Sequence, residues 1–161
     1  MSRLLENSVA VVTGAASGLG RAIARGFAME GADIVSADVR EDPRQGGPPT
    51  VEAIREETDA RATHVECDVT DIDDLRAAVE TADEFGGLTT MVNNAGVTGP
   101  MKPFHEATVA EYREAMSILL DGTFYGSKVA AEKMLADDTE GVILNVSSTS
   151  GFVPQENLAI Y

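Results

Sequence analysis

Tryptophan is absent from the sequence, and cysteine, histidine and lysine are scarce. The single cysteine, Cys67, excludes an internal disulfide framework and a cysteine-based zinc site. The two histidines, His64 and His105, stand far apart, and neither has a partner at metal-ligand spacing, so no metal site is expected. Of the 12 basic residues only Lys102, Lys128 and Lys133 are lysines, against 27 acidic residues and a formal net charge of -15. A charge of that sign repels nucleic acid and anionic lipid, so neither is an expected partner. A carboxylate-rich, lysine-poor surface suits a protein kept soluble in concentrated salt. A halophilic source is the expectation, with an ordinary acidic cytosolic protein as the plainer alternative. No uninterrupted apolar run approaches membrane-spanning length. The opening Met-Ser-Arg-Leu-Leu-Glu-Asn lacks the basic-then-apolar layout of a signal peptide. A soluble, cytoplasmic protein is therefore expected.

What is present is an ordinary globular balance of 43% apolar and 24% charged residues over 161 positions, enough for one domain. Ser8 to Thr13 is a short β-branched run that reads as a strand buried on both faces. After a glycine-rich turn, Leu19, Ile23 and Phe27 recur at helical spacing up to Gly31. Asp33 to Ala37 reads as a second strand, and the proline- and glycine-bearing stretch 40–50 as a loop. Thr50 to Asp59 reads as a short helix and Ala62 to Glu66 as a third strand. Thr70 is the expected N-cap of a helix carrying Leu75, Val79 and Ala82. Leu88 to Val92 is a fourth strand. Thr108 is expected to cap one long helix reaching about residue 136, with Val109, Tyr112, Met116, Leu119 and Thr123 as its apolar stripe. Gly141 to Ser147 is a fifth strand, and the remaining residues read as loop. Buried strands alternating with amphipathic helices predict an α/β fold, a doubly wound parallel sheet of Rossmann type.

Two features carry chemistry. Thr13-Gly-Ala-Ala-Ser-Gly-Leu-Gly20 lies between the first strand and first helix. Glycine there lets the backbone approach a pyrophosphate, the helix N-terminus aims N–H groups at it, and the Ser17 hydroxyl can donate. Asp38 closes the second strand 18 residues after Gly20, where a carboxylate accepts from the adenosine ribose hydroxyls. A carboxylate there repels a 2′-phosphate, so NAD is favoured over NADP, with Arg40 two residues on softening that preference.

Taken together with three further stretches, this pattern resembles the short-chain dehydrogenase/reductase family. Thr13-Gly14-x-x-x-Gly18-x-Gly20 is similar to the family's version of the glycine fingerprint. Asp68-Val69 resembles its adenine-contacting pair, and Asn93-Asn94-Ala95-Gly96 its Asn-Asn-Ala-Gly motif. Asn145-Val-Ser-Ser148 resembles the stretch that carries the catalytic serine, and Tyr161 follows Ser148 at the family's serine-to-tyrosine spacing. The resemblance covers the whole chain. It implies cofactor contacts from Thr13, Gly14, Ser17, Gly18, Leu19, Gly20, Asp38, Asp68, Val69, Asn94, Ala95 and Gly96. It also implies that Ser148 orients an alcohol or ketone substrate, while Tyr161 acts as general acid/base beside an NAD nicotinamide. Homo-oligomers of the full-length form are implied as well. Apart from the family, the long helix's stripe suits a dimer contact and packing on its own sheet equally.

Two departures qualify this. The family's lysine, four residues after the tyrosine, would fall beyond Tyr161, as would the later strands and helices. The 161 residues thus read as a single NAD(P)-binding domain that is incomplete at its C-terminus. Alone it is expected to lack turnover and to expose Val142, Ile143, Leu144 and Val146 on an open sheet edge, with poor stability, aggregation or edge pairing as the outcome. Leu119, moreover, falls where the family has an asparagine that helps hold a water of the proton relay, which implies an altered relay. The alternative to an enzyme is a degenerate dinucleotide-binding protein without turnover. An acidic interaction module without cofactor would leave the glycine turn and Asp38 unexplained.

Overall fold

The computed structural model describes residues 3–161. Five parallel strands form one sheet in the order β3-β2-β1-β4-β5. They are β1 (Val9–Thr13), β2 (Asp33–Asp38), β3 (Ala62–Glu66), β4 (Thr90–Asn93) and β5 (Val142–Asn145). The expected strands are all present, and four of them differ at their ends. Leu88, for example, precedes β4 and is buried in the core.

The alternation of side chains along β1 explains how the layers form. Val9 and Val11 point to one face and Ala10 and Val12 to the other, and every β1 residue is buried. Helices α1 (Gly18–Met29) and α2 (Thr50–Glu57) cover the Ala10/Val12 face through Ala24, Ala28, Val51 and Ile54. Helix α3 (Ile72–Thr81) covers the other through Leu75 and Val79, joined by Val129 and Ala130 of the long helix. The sheet is thus doubly wound, as the sequence predicts.

Two local expectations are corrected. The N-cap of α3 is Asp71, whose side chain accepts from the Asp73 N–H; Thr70 instead bonds the Asp68 carboxylate through its N–H and hydroxyl. Both are good capping types, and the bond Asp68 offers Thr70 decides between them. The long helix does run unbroken from Val109 to Ala136, as expected, but with a π turn inside it. Thr108 does cap it, in a reciprocal capping box with Glu111. It runs as α4 (Val109–Met116), a π turn (Ser117–Asp121) and α5 (Gly122–Ala136). Ser117, Thr123 and Ser127 each return a hydroxyl to a carbonyl one turn back, which loosens the ladder where the extra residue is accommodated. The stripe read from sequence also shifts. Val109 and Tyr112 face solvent, and the buried line is Ala115, Gly122, Gly126, Val129, Ala130 and Met134. Small residues dominate that line because α5 lies close on the sheet. A Cβ at Gly126 would stand 2.1 Å from Asn93 Oδ1.

Candidate functional site

The C-terminal ends of β1, β2, β3 and β4 open into a cleft of about 550 Å³. Its floor is the turn from β1 to α1. Gly14 adopts φ +66°, a conformation costly for side-chain-bearing residues, and its N–H donates to Ala37 O at 2.8 Å. Gly20 packs so closely behind the turn that a Cβ there would stand 2.2 Å from Gly14 O. Ser17, the N-cap of α1, makes no capping bond. The first N–H groups of α1 are therefore left as free donors at the cleft.

Ten residues assigned from sequence to the cofactor line this one cleft: Gly14, Ser17, Gly18, Leu19, Asp38, Asp68, Val69, Asn94, Ala95 and Gly96. Thr13 and Gly20 lie beneath it. The Thr13 hydroxyl accepts from the N–H groups of Asn94 and Ala95 at 2.9 and 3.1 Å and donates to Val92 O. It clamps the exit of β4 to β1. The Asn94 amide returns a bond to Thr13 O at 2.9 Å.

Asp38 is held by backbone donors. Its Oδ2 accepts from the Ala16 N–H at 3.0 Å and its Oδ1 from the Arg40 N–H at 3.3 Å. The Ser17 hydroxyl accepts from the Arg44 N–H at 2.8 Å, which folds the 40–49 loop against the turn. Arg44 and Gln45 consequently line the cleft, as do Val39, Cys67, Val97 and Ile118. None of the six was assigned from sequence. A loop of that length beside a glycine turn is the only signal that could have found Arg44.

Cys67 is buried in the wall. Burial, with the carboxylates of Asp74, Asp68, Asp38 and Asp71 around it, pushes its thiol up from 9.0 to about 12. The folded chain thus holds the proton that the unfolded chain releases first as pH rises. The stabilisation is complete below about pH 8.5 and is lost as pH climbs toward 12. Denaturation midpoints between pH 8 and 11 are expected to fall more steeply for the parent chain than for Cys67→Ala; parallel slopes would contradict this.

Ser148 and Tyr161 stand outside the cleft lining. Ser148 Oγ accepts from the Ser150 N–H at 3.1 Å. Tyr161 is 42% exposed. The start of the serine-bearing segment is nonetheless fixed. Val146 N–H donates to Asn93 O, and Asn93 Nδ2 donates to Ser127 Oγ and to Asn145 Oδ1 at 3.0 and 2.8 Å. Leu119, on the π turn, does not line the cleft but packs against Gly96, which does. Its Cδ2 lies 3.2 Å from where a Cβ on Gly96 would stand, and its carbonyl accepts from the Thr123 hydroxyl.

A family model described as short chain dehydrogenase matches residues 8–161. The chain belongs to the short-chain dehydrogenase family. Among its relatives is a cis-4-hydroxycyclohexanecarboxylate dehydrogenase of Sinomonas cyclohexanicum, 42% identical over 100% of this chain and 63% of the relative. A glucose 1-dehydrogenase 2 of Bacillus subtilis is 33% identical over 96% of this chain and 59% of its own length. A crystal structure of a short chain dehydrogenase from Mycobacterium smegmatis superposes with a TM-score of 0.89 at 30% identity, over 99% of this chain and 65% of that one. The chain thus spans about three fifths of the length of these two relatives. Among the described residues no helix is long and apolar enough to cross a membrane, and no group of three or more His, Cys, Asp and Glu side chains is placed to hold a metal ion.

Proposed function

We propose that these 161 residues are the cofactor-binding part of a larger single domain, a cytoplasmic NAD-dependent oxidoreductase that interconverts a secondary alcohol and its ketone. The observation that carries this reading is the cleft, where the glycine turn, Asp38 and Asn94-Ala95-Gly96 converge. The residues fit a dinucleotide. Bare backbone at Gly14 and the uncapped start of α1 receive its pyrophosphate, and Asp38 receives the adenosine ribose. Asp68 and Val69 line the wall against which the adenine rests. The acidic Asp38 favours NAD over NADP.

Bound there, the nicotinamide supplies hydride transfer. Ser148 holds the substrate oxygen through its hydroxyl, and Tyr161 moves a proton to or from that oxygen. A phenol titrates near pH 10, so Tyr161 needs a neighbouring cation to work at neutral pH. The three lysines of the chain are committed elsewhere: Lys102 to Glu111, Lys128 to Glu132, and Lys133 to Asp83 and Asp137. In this reading the cation belongs to the part of the family's domain that the chain's match does not span. A polypeptide of these residues alone therefore binds the dinucleotide without turning it over. Exposed Tyr112, Leu120 and Phe124 on the long helix suit homo-oligomerisation of the full-length protein, and the acidic surface suits concentrated salt.

A second reading, a dinucleotide-binding protein without turnover in any form, draws on Leu119. Its apolar end against Gly96, in the place of the family's asparagine, offers no amide to a proton-relay water. Titration with NADH, followed by nicotinamide fluorescence, tests the shared part. Saturable binding is expected, and its absence would overturn both readings. Alcohol-dependent NAD reduction by the full-length protein separates them.

A further inference from the structure

We propose that Ile160 positions Tyr161: buried between Gly99 and Ala115, it fastens the tyrosine to the loop that leaves the cofactor cleft. This rests on the reading above, in which Tyr161 is the general acid/base. It goes beyond that reading by naming the residue through which the fold places the phenol.

Beyond Met134, Ile160 is the only buried residue, and it stands directly before Tyr161. The apolar Phe152 and Val153 of the same segment are open to solvent, so the burial of Ile160 is a specific contact and not a general collapse. Its partners lie on two other elements. A Cβ on Gly99 would meet Ile160 Cγ2 at 3.5 Å, Ile160 Cβ at 3.8 Å and Ala115 Cβ at 3.9 Å, so the three residues converge on one point. Gly99 adopts φ +68°, where a side chain would be strained. Ala115 is the buried residue of α4, and Gly96 and Val97, just before Gly99, line the cleft. Ile160 therefore plugs the notch between α4 and the loop that continues the cleft wall.

A second tie lies upstream. The Asn157 carbonyl accepts from the Lys102 N–H at 3.0 Å, and the Lys102 ammonium donates to Glu111 of α4 at 2.6 Å. The Leu158 N–H closes a turn onto Gln155 O, with Asn157 in the left-handed region at φ +64°, which asparagine tolerates. This tie falls four residues before Tyr161. It fixes where the segment lies but leaves the tyrosine free to swing, and Ile160 removes that freedom.

Misplacing a catalytic group by about 1 Å can cost on the order of a hundredfold in rate. Ile160 thus acts on the chemical step through Tyr161, and cofactor binding does not depend on it. Ile160 packs in neither core layer, so its loss opens the segment locally and leaves the sheet folded.

The experiment compares the full-length protein with its Ile160→Ala and Ile160→Val variants by hydrogen exchange, NADH titration and NAD reduction with 2-butanol and cyclohexanol. In Ile160→Ala, deuterium uptake across 97–106 and 155–161 is expected to rise at least about fivefold, while uptake across β1 to β4 changes less than about twofold. NADH affinity and the KM for NAD should stay within about twofold of the parent, whereas kcat falls at least about tenfold. Ile160→Val, which loses one methyl group, should keep most of the parent's kcat and its slow exchange. A merely structural role would instead lower the thermal midpoint and NADH affinity together with kcat. Unchanged exchange in Ile160→Ala, a rise spread over the whole sheet, or a kcat equal to the parent's would each overturn this assignment alone. A parent that binds NADH but reduces NAD with neither alcohol would overturn the oxidoreductase reading, and exchange would still decide the anchor.

Discussion

Replacing Gly20 by alanine is expected to reduce dinucleotide affinity at least about tenfold and to destabilise the fold by about 2 kcal/mol. Two effects compete at this position. Alanine is the better helix former, by about 1 kcal/mol in an α-helix interior. Against that, the new Cβ would stand 2.2 Å from Gly14 O, 2.5 Å from Asn94 Nδ2 and 2.7 Å from Gly14 C. Two of those three atoms are backbone and cannot rotate away. Gly14 is also tied to Ala37 O, and the Asn94 amide to Thr13 O. Relief therefore requires moving the turn off the strands it bridges, and the contact outweighs the propensity gain. Gly26 supplies the matched control, since it lies in the same helix with nothing within 4 Å of its Cβ position. Gly26→Ala should stabilise by about 0.5–1 kcal/mol and leave binding alone. Urea denaturation and NADH titration of both variants read the difference. A Gly20→Ala chain as stable and as tight-binding as the parent would show that the turn does not need its close packing.

The contrast between these two glycines also shows what sequence can reveal here. The fingerprint spacing marked Gly14, Gly18 and Gly20 as a set because each departure from an ordinary turn leaves a glycine behind. The alternation of strand and helix was legible for a similar reason, because β1 is buried on both faces and α1 on one, and composition follows burial. What stayed hidden depends on contacts between distant segments. The stretch 40–50 reads from sequence simply as a loop, yet the Ser17–Arg44 bond folds it against the turn, where Arg44 and Gln45 line the cleft. Thr13 looked like part of the fingerprint, yet its hydroxyl faces the β4 exit rather than the cleft. The π turn at Ser117–Asp121 leaves helical spacing intact on either side, so periodicity ran through it unbroken. Its consequence is that Ile118 lines the cleft and Leu119 reaches Gly96.

The 161-residue polypeptide, expressed by itself, is expected to self-associate through β5. Val142 and Val146 direct their N–H groups to β4, at Thr89 O and Asn93 O. By strand alternation the N–H groups of Ile143 and Asn145 point outward, where the sheet order ends. The face is open as well as the edge. Ile143 packs on the α3/α5 side of the core, while Val142, Leu144 and Val146 on the opposite side are 52%, 41% and 40% exposed. Covering three such half-exposed side chains is worth roughly 1 kcal/mol each, and pairing the edge adds bonds that water otherwise satisfies. The net charge of -15 opposes close approach of two copies, so association should strengthen as salt screens it. Val142→Lys with Leu144→Lys places cations on exposed positions that no core contact uses, and should return the chain toward monomer with little loss of stability. Sedimentation velocity across concentration and salt decides the matter. A parent chain that stays at 17.0 kDa at all concentrations and unfolds cooperatively would sink the expectation, because an open apolar edge would then be tolerated without a partner.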